Sequence, residues 1–220
     1  MIKIFEKKVR AFSLTETMVV VAILAVVTTG AFVMLSSGQA TWFTIDTQIG
    51  LQDNLRQTAN KISRELNQSG FDQSATAQYT VSDAAGVNAS DIIKFSIPVI
   101  CHQNDNFLDA NSNIAHWGAP LTWGCADYTC MDADNNCATV DYKFIQYSIN
   151  TNNQLVRKVL DPVGTVKRQD ILAQDIVDLQ ITVSADKNVL TMTITARRKS
   201  ALNRTLTSST TFAVYLRNRG

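Results

Sequence analysis

The chain has 220 residues, 45% of them apolar and 18% charged, with 20 Lys and Arg against 19 Asp and Glu. That length accommodates one globular domain plus a long helix, and a charge balance near zero offers no broad basic surface of the kind nucleic acid requires. The charge is unevenly placed: MIKIFEKKVR sets Lys3, Lys7, Lys8 and Arg10 against Glu6, and from Ala11 to Ile45 the sole charged residue is Glu16.

The first predicted element is a membrane-length helix. From Met18 to Leu35 only Thr28, Thr29 and Gly30 are not plainly apolar. At about 1.5 Å per residue, Phe12 to Leu35 spans roughly 36 Å, more than the hydrocarbon core of about 30 Å. The basic flank ahead of it holds the N-terminus on the cytoplasmic side. A secretory signal peptide would place a small-residue cleavage site after the apolar run. Here no clear site follows the run, and the small residue Ala11 precedes it.

The stretch AFSLTETMVVVAILAVV resembles the type IV prepilin N-terminus shared by pilins and type II secretion pseudopilins. The resemblance implies cleavage by prepilin peptidase between Ala11 and Phe12, removing residues 1–11 as a leader, and N-methylation of Phe12. It places Glu16 fifth in the mature chain, where the family keeps a glutamate used in assembly. Two positions depart from the family pattern: Ala11 stands where Gly is usual, and Thr15 where an aliphatic residue is usual.

Past the membrane segment the helical period continues. Ile45, Ile49, Leu55, Ala59, Ile62 and Leu66 fall on one face. One helix is therefore expected over 13–69, apolar all round in its first half and amphipathic in its second. Gly70 serves as a C-cap in this reading. No proline interrupts the helix, and Gly30 is its candidate weak point. The domain division expected is a leader (1–11), a membrane and assembly helix (12–69) and a β domain (70–220).

Strands follow. Ile93, Phe95, Ile97 and Val99 alternate within 92–99, and 139–149 is rich in β-formers. NTNN at 150–153 is a turn, returning 154–160 as a hairpin partner. Val177, Leu179, Ile181 and Val183 alternate; SADKN turns the chain; Leu190, Met192, Ile194 and Ala196 repeat the pattern; 210–217 forms a last strand. Period two with short turns predicts an antiparallel sheet, one face of which the amphipathic half-helix covers. The phrases YSINTNNQLVRKVL and ILAQDIVDLQITV, with the ending YLRNRG, are similar to PilW-like minor pilins and to the J-type minor pseudopilin of type II secretion. The fold class expected is α+β, the type IV pilin fold, with a cysteine-rich insertion at 101–138.

That insertion holds Cys101, Cys125, Cys130 and Cys137, both histidines, and Trp117 and Trp123. Four cysteines allow three pairings, and a polar loop outside the inner membrane is in an oxidising compartment, which favours disulfides. The spacing Cys-x4-Cys-x6-Cys does not match the short knuckles of zinc sites. Asp132, Asp134 and Asn136 place oxygen ligands at alternate positions, but Cys137 and Lys143 stand where a calcium loop needs Gly and Glu; a solvated acidic turn is the plain alternative. Trp117 and Trp123 are candidate recognition residues or the small core of a stapled loop. No nucleophile elbow, phosphate loop or HExxH motif is present.

These features point to a non-enzymatic, cofactor-free minor pilin: held in the inner membrane with its C-terminal domain in the periplasm, then built into a pilus near its tip. Its implied partners are prepilin peptidase, other minor and major pilins, the inner-membrane assembly platform and, before assembly, membrane lipid. A type II secretion pseudopilin and a tip adhesin binding through 101–137 are the alternatives.

Overall fold

The computed structural model describes residues 13–71, 77–83, 90–101, 106–122, 143–201, 203–216 and 218–219. It is one long helix followed by β-structure, an α+β chain. Contacts divide it into two units, Met1–Ile45 and Asp46–Gly220.

The described part of the first unit is helical. Helix α1 (Leu14–Leu66) starts on Ser13, whose carbonyl accepts the N–H of Glu16 at 3.0 Å and of Thr17 at 3.1 Å. The helix runs through Gly30 without a break. A Cβ there would meet nothing within 4 Å, so Gly30 lowers helix propensity by about 1 kcal/mol relative to Ala and marks no interruption. Every residue from Ser13 to Gln39 is exposed.

In the second unit, α1 buries Leu51, Leu55, Thr58, Ala59, Ile62, Glu65 and Leu66, steps of three and four that make one stripe. The stripe begins later than the sequence pattern indicated: Ile45 and Ile49 are about half exposed. The helix also ends earlier. Gln68 and Ser69 donate to the carbonyls of Glu65 and Leu66, tightening the last turn, and Gly70 opens a strand instead of capping the helix.

The strands are β1 (Gly70–Phe71), β2 (Tyr79–Asp83), β3 (Asp91–Phe95), β4 (Ile97–Pro98), β5 (Trp117–Gly118), β6 (Phe144–Ile149), β7 (Leu155–Leu160), β8 (Val166–Ala173), β9 (Ile176–Val183), β10 (Val189–Lys199), β11 (Thr205–Tyr215) and β12 (Asn218–Arg219). They form two main antiparallel sheets, β2-β3-β6-β7-β8 and β11-β10-β9, plus the pairs β4-β5 and β1-β12, the last parallel. The sequence pattern indicated a single sheet. The division falls at the corner between β8 and β9, where Asp175 adopts φ 61° and its carbonyl accepts from Arg197 N–H at 2.7 Å. Aspartate tolerates this left-handed geometry better than most residues.

The expected hairpin at 150–153 is present. Asn150 Oδ1 accepts the N–H groups of Asn152 and Gln154, both at 3.0 Å, and Asn153 takes φ 55°. The expected single strand 92–99 is split. Ser96 leaves the ladder to donate its N–H to Gln78 O and its hydroxyl to Lys143 O, so β3 and β4 take different partners. Ile93, Phe95, Ile97 and Val99 nevertheless all reach the core. In β9 the alternation slips: a bulge opposite Thr195/Ala196 turns Ile176 inward in place of Val177, while Leu179 keeps phase. The core joins the α1 stripe to β3, β6, β7, β9 and β10.

Two exposed sheet edges are closed in different ways. Edge strand β8 carries Lys167, Arg168 and Asp170, charges that discourage pairing with another chain. On β9, the N–H of Leu179 donates to Ser90 Oγ at 3.2 Å and that of Ile181 to Asp91 Oδ2 at 2.5 Å.

Candidate functional site

The chemistry-bearing part of the first unit is the start of α1. Glu16 sits in the first helical turn, where the exposed N–H groups and the helix dipole favour a carboxylate. The helix here presents a mostly apolar surface: Leu14, Met18, Leu24, Phe32 and Met34 are each more than 60% exposed. It is long and apolar enough to cross a membrane by length and composition. In water such a surface is unfavourable at roughly 25 cal/mol per Å², so the segment has to be covered by lipid or by other chains. Ala11 and Phe12 lie outside the described residues.

A second constellation lies in the β domain, and it was not flagged from the sequence. Arg157 on β7 is 0% exposed and Glu65 on α1 is 1% exposed. Arg157 Nε and Nη2 both donate to the Glu65 carboxylate, Nη2 at 2.7 Å, and Nη2 also donates to the carbonyl of Pro120 at 2.9 Å. Tyr147 on β6 donates its hydroxyl to Glu65 Oε2. Asp170 stands 3.9 Å from Nη1. Burial works against the Arg157 charge, but the bonds and field of Glu65 outweigh it and raise its pKa. Burial, then the Glu65 charge, holds the Tyr147 hydroxyl well above the usual tyrosine range. A group this enclosed presents nothing to substrate; it is a joint between helix, sheet and the cysteine-bearing insertion. A signal was present in the sequence. Leu155, Arg157 and Val159 share one face at period two, so an arginine stands where an apolar residue belongs.

The third site is the insertion. Cys101 is half-buried against the core and disulfide-bonded; Cys125, Cys130 and Cys137 lie outside the described residues. Trp117 is 9% exposed and pairs with Pro98 through β5, and its carbonyl accepts from Lys143 Nζ at 3.1 Å. It is largely buried. Burial lowers the Lys143 pKa. Asp109 Oδ1 caps a small turn by accepting from Asn111 and Asn113. Trp123, Asp132, Asp134 and Asn136 lie outside the described residues. Among the described residues no three His, Cys, Asp or Glu side chains group as metal ligands.

A family model described as a prokaryotic N-terminal methylation motif matches residues 7–32. No curated protein and no solved structure matches the chain. The matched residues hold the basic flank, the Ala11–Phe12 junction, Glu16 and the apolar start of α1. Residues 7–32 thus carry a prepilin-like N-terminal methylation motif.

Proposed function

We propose that this chain is a minor pilin: a structural subunit that, once its leader is removed, helps prime and assemble a type IV pilus near the tip. The observation that carries the reading is the methylation motif set at the head of a helix whose exposed apolar surface needs other chains or lipid to cover it. In this reading prepilin peptidase cuts between Ala11 and Phe12 and Phe12 is methylated. The helix holds the chain in the inner membrane with the β domain in the periplasm until the assembly platform transfers it to the other pilins. Helix surface that lipid covers before assembly is covered by neighbouring helices afterwards, so no apolar area is returned to water.

The minor rather than major role is supported by the cysteine-bearing insertion and by the likeness of phrases within 147–220 to PilW-like sequences. The type II secretion alternative shares every feature of the N-terminus. The experiment is mass spectrometry of the chain recovered from membranes and from sheared filaments. The expected result is an N-terminal methyl-Phe12 in both fractions, with the chain far scarcer than the major subunit in the second. An intact Met1, or cleavage beyond Leu35, would defeat the reading. Ala11→Leu should leave uncut precursor in the membrane.

A further inference from the structure

Beyond the strongly apolar run, α1 continues through SSGQATWFTI, residues 36–45, which is polar in composition yet uncharged. Between Glu16 and Asp46 the chain carries no charge at all. A hydroxyl left unbonded in lipid is costly, and this stretch spends none that way. Thr28 donates to Leu24 O at 2.9 Å and Thr29 to Ala25 O at 2.7 Å. Ser36 and Ser37 donate to Val33 O and Met34 O, both at 3.0 Å. Thr41 donates to Ser37 O at 3.0 Å and Thr44 to Ala40 O at 2.9 Å. Each hydroxyl of the stretch is thus satisfied within its own helix.

Two aromatics close this uncharged window. Trp42 is 75% exposed and Phe43 is 54% exposed. Along the helix, Glu16 to Trp42 is roughly 39 Å at about 1.5 Å per residue. A bilayer with its headgroup layers measures about 40–45 Å. An indole has a large apolar body and one N–H that seeks an acceptor; the headgroup layer supplies both environments, and the hydrocarbon core supplies only one.

We propose that Trp42 and Phe43 form the outer membrane-interface anchor of this chain, seated in the phospholipid headgroup layer opposite the basic flank. The lipid-embedded segment then runs to about Ile45 and not merely to Leu35, with Asp46 the first residue that must reach water. The inference rests on α1 spanning the membrane, and it does not depend on which filament the subunit enters.

The test uses the full-length chain with Trp117→Phe and Trp123→Phe, which leaves Trp42 as the one remaining tryptophan of three. It is reconstituted in vesicles of phosphatidylglycerol and phosphatidylethanolamine carrying nitroxide labels at the headgroup, shallow acyl or deep acyl positions. The expected emission is blue-shifted from that of tryptophan in water. Headgroup and shallow labels should quench it most, the deep label less, and soluble iodide least. Quenching by iodide as strong as for free tryptophan, with no effect of any lipid label, would overturn the proposal. Blue-shifted emission quenched by neither would also overturn it, since the ring would then be packed on protein.

A second measurement avoids the tryptophan substitutions. Ser37→Cys should resist a membrane-impermeant maleimide and Asp46→Cys should react, each read over the wild-type background. Reaction at both would place the end of the span before Ser37. Retention of the chain in carbonate-washed membranes reports the span separately, so loss of the anchor and loss of the membrane reading give different results.

Discussion

Arg157 on β7 and Glu65 at the end of α1 face each other across the core of the β domain, joined at 2.7 Å with neither side chain reaching solvent. The pair fixes more than two elements, because the same guanidinium also holds the Pro120 carbonyl at 2.9 Å and the same carboxylate accepts from Tyr147. Helix, strands β6 and β7 and the cysteine-bearing insertion therefore meet at one buried charge pair.

Removing one partner should cost far more than removing both. Arg157→Met strands the Glu65 carboxylate under cover and should lower unfolding stability by about 3–5 kcal/mol, whereas replacing both partners by apolar residues of similar volume should recover most of that loss. Denaturant titration of the chain and its variants in mild detergent checks this. If the double variant loses as much as the sum of the singles, the two residues are not coupled.

Alkaline pH should find the same joint. The Tyr147 pKa is raised in the folded chain by burial and by Glu65, and that of Tyr79 is raised by burial and by Asp186. A raised folded value means that the neutral form is favoured by folding. Its contribution is complete below the unfolded tyrosine value of about 10 and is lost as pH rises from there toward the folded value. Ultraviolet titration of the phenols should show Tyr79 and Tyr147 ionising late, Tyr147 only as the domain unfolds. Tyr147→Phe should remove most of the alkaline instability.

The order of elements was legible because period and turn chemistry are local. Leu190, Met192, Ile194 and Ala196 alternate in the sequence and all are buried; Asn150 and Asn153 announced a turn and make one. Edge strand β8 was invisible because an exposed edge has no apolar alternation to read, and its Lys167, Arg168 and Asp170 imitate a loop. The division into two sheets falls at a corner where Asp175 takes a left-handed backbone angle, a position that strand periodicity does not mark. The burial of Glu65 was not legible locally, since its partner Arg157 lies 92 positions away. At the N-terminus the reverse holds: the signal is a linear motif, so sequence alone carries it.

Cys101 follows β4 at the first position of the insertion, half-buried against the core, and it is disulfide-bonded. We expect that all four cysteines are paired in protein from an oxidising compartment. Under denaturing, non-reducing conditions no cysteine should take up an alkylating reagent, and peptide mapping without reductant should give two linked pairs. Reduction should lower stability by about 2–4 kcal/mol per bridge lost. The strand signal should persist, because β6, β7, β9 and β10 have their own core. Four reactive thiols in that sample would remove the disulfide reading of the insertion.

The final prediction concerns Glu16. A carboxylate at the margin of an apolar segment is unfavourable unless it is paired, neutralised or close to water. Helix α1 exposes its N–H groups at that end, which stabilises the charge by about 0.3–1 kcal/mol, too little to hold it deep in lipid. Cleavage at Ala11–Phe12 would create a positive amine four residues upstream of Glu16 in the chain, a candidate partner for its charge. In a filament the amine of a neighbouring subunit is a second partner. An ion pair 4 Å apart is worth about 1 kcal/mol in water but about 4 kcal/mol at an effective dielectric of 20, so pairing gains most of its strength only once helices exclude water. That difference makes the carboxylate a height marker for docking. Glu16→Gln keeps the size and removes the charge. It should be cleaved, methylated and inserted as the wild type is, while its incorporation into sheared filaments falls about tenfold, the equivalent of about 1.4 kcal/mol per docking event. Quantitative immunoblotting of membrane and filament fractions reads both effects at once. Wild-type incorporation of the Gln variant would show that the charge at this position does not set docking in this subunit.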